Sequence, residues 1–106
     1  MEDKTPIAPM IALDERSAIL LAETFAALSD PTRVRIISVL RGNVLNVGVL
    51  AEIVGISESA VSHHLRGLRQ MHLVQARKAG RQVYYTLDDE HIADLFQRGL
   101  DHVLHS

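Results

Sequence analysis

Asn46-Val47-Gly48-Val49-Leu50-Ala51-Glu52-Ile53-Val54-Gly55-Ile56-Ser57-Glu58-Ser59-Ala60-Val61-Ser62-His63-His64-Leu65-Arg66 decides the fold of this 106-residue chain. Asn46 can cap a helix that carries Val49, Leu50, Ile53 and Val54 and stops at Gly55. Ser57 can cap a second helix with Ala60, Val61, Leu65 and Leu68 on its inner side. Only Val54-Gly55-Ile56-Ser57 separates the two, a short glycine-containing turn with the spacing of a helix-turn-helix.

Working outward, Leu73–Arg77 and Gln82–Leu87 read as two strands, with Lys78-Ala79-Gly80-Arg81 as the turn between them. A helix-turn-helix followed directly by a basic hairpin is the winged-helix arrangement. Upstream, Asp30 can cap a helix that starts at Pro31, carries Val34, Ile36, Ile37, Val39 and Leu40, and ends near Gly42. A further helix covers Asp14 to Leu28, with Ile19, Leu20, Leu21, Phe25 and Ala26 apolar. A last helix begins at Asp88 or Asp89 and runs to about Leu104, with Ile92, Leu95, Phe96, Leu100 and Val103 apolar. Residues 1–12, with Pro6 and Pro9, read as an extended or mobile arm, and 13–106 as one domain. The expected fold is mainly α with a β-hairpin, a winged helix-turn-helix. A core this small is modest, and the broad apolar faces of the N- and C-terminal helices suit burial against a second copy, hence a homodimer.

Composition is that of an ordinary soluble domain, 47% hydrophobic and 23% charged. There is no Cys, which excludes disulfides, thiolate metal sites and thiol nucleophiles. No secretory signal pattern follows Met1, and the apolar runs are too short to span a bilayer, so a cytoplasmic protein without a membrane partner is expected. The net charge of −2 hides a pattern: residues 1–30, 31–87 and 88–106 carry −4, +6 and −4. A basic middle between acidic ends points that middle at a polyanion.

The helix after the turn offers Ser57, Ser59, Ser62, His63, His64 and Arg66 for hydrogen bonds to base edges or phosphates. Its small side chains let it sink into a major groove. Arg77, Lys78 and Arg81 of the hairpin can flank the duplex. Taken singly, Ser57 is a cap and the imidazoles are ordinary surface groups; turn, small helix face and basic wing together favour double-stranded DNA.

Three of the six histidines fall in the last helix among carboxylates. Asp89, His91, His102 and His105 supply oxygen and nitrogen donors that suit Zn(II), Co(II) or Ni(II). His91 and His102 share a helix face but lie ~16 Å apart along the axis, too far for one ion. One chain therefore offers two half-sites. If two copies pack this helix antiparallel about a two-fold axis, Asp89 and His91 of one meet His102 and His105 of the other. Four protein donors make a closed site, which favours sensing or structure over catalysis. The plainer reading is that these residues solvate a terminal helix.

Ala27-Leu28-Ser29-Asp30-Pro31-Thr32-Arg33-Val34-Arg35-Ile36, then Ser57–Leu65, then Gly80-Arg81-Gln82-Val83-Tyr84-Tyr85, resemble the ArsR/SmtB family of dimeric winged-helix metal-sensing repressors over about residues 18–106. The C-terminal string looks like the last-helix site of its zinc- and cobalt-responsive branch. The resemblance implies Asp89 and His91 as ligands from one protomer and His102 and His105 from the other. It implies operator binding by the metal-free dimer and weaker binding with metal. It also implies that the backbone carbonyl of His72 receives a hydrogen bond from the ligand at His102, an allosteric link to the recognition helix. The thiolate site of many relatives has no counterpart here, and the arm lacks His, which weakens a nickel reading.

The expected function is thus a metal-responsive repressor, not an enzyme. The alternatives are a winged-helix regulator with no metal response or another inducer, a nickel-responsive repressor, a DNA binder without sequence preference, and a small zinc hydrolase. The last lacks any HExxH-type pair.

Overall fold

The computed structural model describes residues 10–105. Most of the expected arm, residues 1–9, and Ser106 lie outside the described residues. Five helices and three short strands follow in the order α1 (Glu15–Ala27), α2 (Pro31–Leu40), β1 (Leu45–Asn46), α3 (Val47–Val54), α4 (Glu58–Gln70), β2 (Val74–Ala79), β3 (Gln82–Leu87) and α5 (Glu90–Leu104).

Each helix starts where an oxygen-bearing side chain precedes it. Asp14 accepts from the N–H of Ser17, Asp30 from those of Thr32 and Arg33, Asn46 from that of Val49, Ser57 from that of Ala60, and Asp89 from those of His91 and Ile92. These bonds satisfy N–H groups that a helix leaves without partners at its first turn. Gly55 ends α3 in the left-handed conformation, φ 81°, which turns the chain sharply into α4.

The hairpin differs from expectation in two respects. Lys78 and Ala79 belong to β2, pairing with Val83 and Gln82, so the turn is only Gly80-Arg81. Gly80 has φ 63° and Arg81 does not share the positive sign, the pattern of a tight type II′ turn with glycine first. The sheet also has a third member: Leu45 and Asn46 pair antiparallel with Tyr85 and Tyr84, giving the order β1-β3-β2. A two-residue strand has no period of its own and exists only because β3 presents an open edge.

The core lies where α2, α3, α4 and the start of β2 meet. Ile36, Ile37, Leu40, Leu50, Val54, Val61, Leu65, Leu68, Leu73 and Val74 are buried there, with Tyr85, Leu87, Ile92 and Phe96 packed against them. α1 is different, since only its last residue, Ala27, is buried. Ile19, Leu20, Leu21 and Phe25 of α1 and Val103 and Leu104 of α5 are exposed. An apolar cleft of about 340 Å³ opens between α1, α2 and α5, lined by Phe25, Val34, Ile92, Leu95, Phe96 and Leu100 among others. No helix among the described residues is long and apolar enough to cross a membrane.

Candidate nucleic-acid interface and metal half-sites

Val61, Leu65 and Leu68 anchor one side of α4 in the core. The opposite side carries Ser59, Ser62, His63 and Arg66, all exposed, at the spacing of one helix face. Gln70 continues that stripe one turn further and is also exposed. The sequence reading passed over it, although the i, i+4, i+7, i+11 series from Ser59 through His63 and Arg66 would have found it. Ser57 sits at the N-terminus as the cap, its hydroxyl oxygen 3.1 Å from the N–H of Ala60.

His64 is placed differently from its neighbours. It is half-buried, and its Nδ1 accepts a hydrogen bond from Nε of Arg33, on α2, at 3.2 Å. The side chain turns from the exposed stripe toward α2, because a position three residues after Val61 falls on the flank of the buried face. Its ring meets that of His63 edge to face, with centroids 5.9 Å apart.

The wing carries Arg77, Lys78 and Arg81, all exposed. Arg77 and Lys78 are consecutive in β2 and pair with Tyr84 and Val83, so their side chains leave opposite faces of the sheet. His72 follows the C-cap of α4 and is exposed, with φ 57°. Among the described residues no hydrogen bond joins it to His102 within one protomer.

The histidine-rich helix has two ends. At the first, Oδ1 of Asp89 lies 3.5 Å from Nδ1 of His91, and the His91 side chain is 90% exposed. Donors around a tetrahedral Zn(II), with bonds of about 2.0–2.1 Å, sit roughly 3.3 Å apart, so these two atoms stand at a suitable bite. Asp89 caps α5 at the same time, and its position outside the helix is what lets residues two apart converge. At the other end His102 and His105 line one shallow depression with Arg98 and Asp101. Asp101 accepts from Nε2 of Gln97 at 2.7 Å, and Oε1 of Gln97 accepts in turn from Arg41. Arg41 also lies over the ring of Phe96, 4.9 Å from its centroid. Among the described residues no three histidines or carboxylates gather at one point within the protomer. The donors are divided between the helix ends, as their spacing requires.

Residues 30–76, from the cap of α2 to the middle of β2, match the bacterial regulatory protein, arsR family. Over 97 residues the chain is 45% identical to the transcriptional repressor SmtB homolog of Synechocystis sp., covering 92% of this chain and 72% of that protein. It is 42% identical over 97 residues to the HTH-type transcriptional regulator NmtR of Mycobacterium tuberculosis, covering 92% and 81%. Among solved structures, a homodimeric winged helix-turn-helix DNA-binding domain from Mycobacterium bovis, a possible ArsR-family transcriptional regulator, superposes with a TM-score of 0.77 at 27% identity, covering 92% of this chain and 96% of that one. These relatives are transcriptional regulators rather than enzymes. With the helix-turn-helix, the wing and this similarity in agreement, the chain belongs to the ArsR/SmtB family of winged-helix transcriptional repressors.

Proposed function

We propose that this protein is a homodimeric repressor whose metal-free form binds operator DNA and which Zn(II), with Co(II) as a surrogate, releases. The observation that carries the reading is the division of donors along α5: Asp89 Oδ1 and His91 Nδ1 stand 3.5 Å apart at one end, and His102 and His105 share a depression at the other. Two copies packed through α1 and α5 would bring Asp89 and His91 of one protomer to His102 and His105 of the partner subunit. A bound cation would supply a four-donor tie between protomers. The exposed apolar residues of α1 and α5 support that packing, as does the homodimeric neighbour. The similarity to the SmtB homolog and NmtR supports regulation of this type. In the same reading Ser57, Ser59, Ser62, His63 and Arg66 approach bases and phosphates, and Arg77, Lys78 and Arg81 flank them. His72 stands between α4 and β2, where its carbonyl would take a bond from a ligand histidine. Nitrogen and oxygen donors without sulfur favour Zn(II), Co(II) or Ni(II) over thiophilic ions.

The test is a metal titration of the protein on a duplex that it has itself recovered from a random pool, followed by fluorescence anisotropy. Allosteric couplings are commonly about 5- to 150-fold, so saturating Zn(II) should weaken binding by at least about fivefold. His102→Ala should bind the metal-free duplex like wild type and lose this response. Unchanged DNA affinity at saturating Zn(II), Co(II) and Ni(II) alike would defeat the sensor reading and leave a repressor with another inducer.

A further inference from the structure

Arg33 joins three elements through one guanidinium. It stands in the first turn of α2 and is half-buried. Its Nε donates to Nδ1 of His64 on α4 at 3.2 Å, and its Nη1 donates to the carbonyl of Ala27, the last residue of α1, at 3.4 Å. The plane of the group lies against Gly67, one turn after His64. A Cβ at that position would fall 2.5 Å from Nη2 and 2.9 Å from Cζ. Glycine is disfavoured inside a helix relative to alanine, and at this position it leaves the room that the Arg33 guanidinium occupies. Asp30 completes the corner, its carboxylate accepting from the N–H groups of Thr32 and Arg33 itself.

We propose that Arg33 is a positioning residue for DNA recognition: acting on His64 and Gly67, it fixes α4 against the end of α1, and His64 is its acceptor rather than a reader of bases. The buried residues Val61, Leu65 and Leu68 set which face of α4 points outward, but apolar packing is non-directional and tolerates sliding. The guanidinium fork is planar and directional. It sets where the helix stops along and across its neighbours. Hydrogen bonds to base edges demand donor–acceptor distances of about 2.7–3.2 Å, so a helix free to shift by an ångström loses them. α1 bears the exposed apolar face assigned above to the partner subunit, so the same fork relates each recognition helix to the dimer. This inference rests on the DNA-binding reading of α4, and not on the metal.

Arg33→Met, His64→Leu and His64→Asn test it, each measured against the wild-type-selected duplex across a salt series, with the folded fraction determined by thermal melting. His64→Leu should weaken binding about tenfold, the order expected for loss of one charge-assisted hydrogen bond, and Arg33→Met, which also loses the bond to the carbonyl of Ala27, by at least as much. Neither should alter the slope of log affinity against log salt. His64→Asn, whose amide oxygen can take the place of Nδ1, should restore most of the affinity lost in His64→Leu. A slope reduced by about 0.9 would make the substituted group a phosphate contact and overturn the proposal. Equal losses in His64→Asn and His64→Leu would overturn it too, as a lost base contact, and so would full affinity in His64→Leu. If Arg33→Met does not fold, the His64 pair decides alone. A wild-type protein that recovers no duplex at all would instead remove the DNA reading, and the positioning role with it.

Discussion

His72 has a positive φ, 57°, the one non-glycine residue among those described to do so. Its N–H bonds to the carbonyl of Arg69, and the N–H of Leu73 reaches back to the carbonyl of Leu68 at 2.9 Å. Together these form a Schellman motif that closes α4, with the buried Leu68 and Leu73 supplying its apolar contact. The position that normally takes glycine is held by a residue with a Cβ. A left-handed conformation costs an L-residue about 1–2 kcal/mol, and glycine returns about 0.4–1 kcal/mol of that through the greater freedom of the unfolded chain. His72→Gly should therefore stabilise the protein by roughly 0.5–1 kcal/mol, read as a raised urea midpoint at fixed protein concentration. The proposed allosteric link uses only the carbonyl, which the substitution keeps. The metal response should survive in this variant, and its loss would assign a role to the imidazole. No feature of His72 in the sequence marks this conformation, because the strain belongs to the turn between α4 and β2 rather than to the residue type.

At the scale of elements, the caps were the most legible feature. Asp30-Pro31, Asn46 and Ser57 each announce a helix by local chemistry that needs no tertiary partner. Asp30 also ties α2 to pH. The N–H of Arg33, aided by that of Thr32, holds its carboxyl below the ordinary value of 3.8. A lowered folded-state pKa means that the cap's contribution is fully present above the unfolded value. It is lost as pH falls through the folded one. The wild type should then lose stability on going from pH 5 to pH 2 more steeply than Asp30→Asn, which caps without titrating. Parallel urea midpoints over that range check it, and identical slopes would remove Asp30 from the acid transition. Asp14, held low mainly by the N–H of Ser17 in the same way, keeps some acid dependence in both proteins. What sequence reading missed at this scale is long-range. β1 is defined by Tyr84 and Tyr85 some forty residues away, and the turn of His64 toward Arg33 spans 31 residues. Periodicity sorts His64 only to the flank of α4; which neighbour waits there depends on how α2 packs. The proposed metal site was legible as two half-sites for the opposite reason, since helical rise alone separates its donors.

In the whole molecule, the first and last helices leave apolar side chains uncovered. Ile19, Leu20, Leu21 and Phe25 are each about half exposed, Val103 and Leu104 about two-thirds. Phe25 and Val103 border the apolar cleft between α1, α2 and α5, whereas Ile19 and Leu20 border a separate depression with Glu15 and Arg16. Scattered exposed apolar residues are ordinary, but an apolar cleft bordered by the exposed Phe25 and Val103 is a candidate interaction surface. Phe25 occupies the centre of the case, since it is 51% exposed and also lines the cleft. Phe25→Asp places a charge where the proposed interface must be dry. It spares the packing around Leu50, Val61 and Leu65, because Phe25 lies only at the edge of the core, in the cleft it lines with Ile37 and Phe96. The variant should sediment as a folded monomer at concentrations where wild type is a dimer. Two losses should follow. Operator affinity should fall steeply, because one α4 reads only one half-site. Zn(II) affinity should fall as well, because Asp89 and His91 no longer meet the donors of the partner subunit. The two readouts separate the parts of the proposal. A monomer that keeps wild-type Zn(II) affinity would show that each half-site binds alone, contrary to the inter-subunit assignment, while a Phe25→Asp protein that remains dimeric would move the interface away from α1.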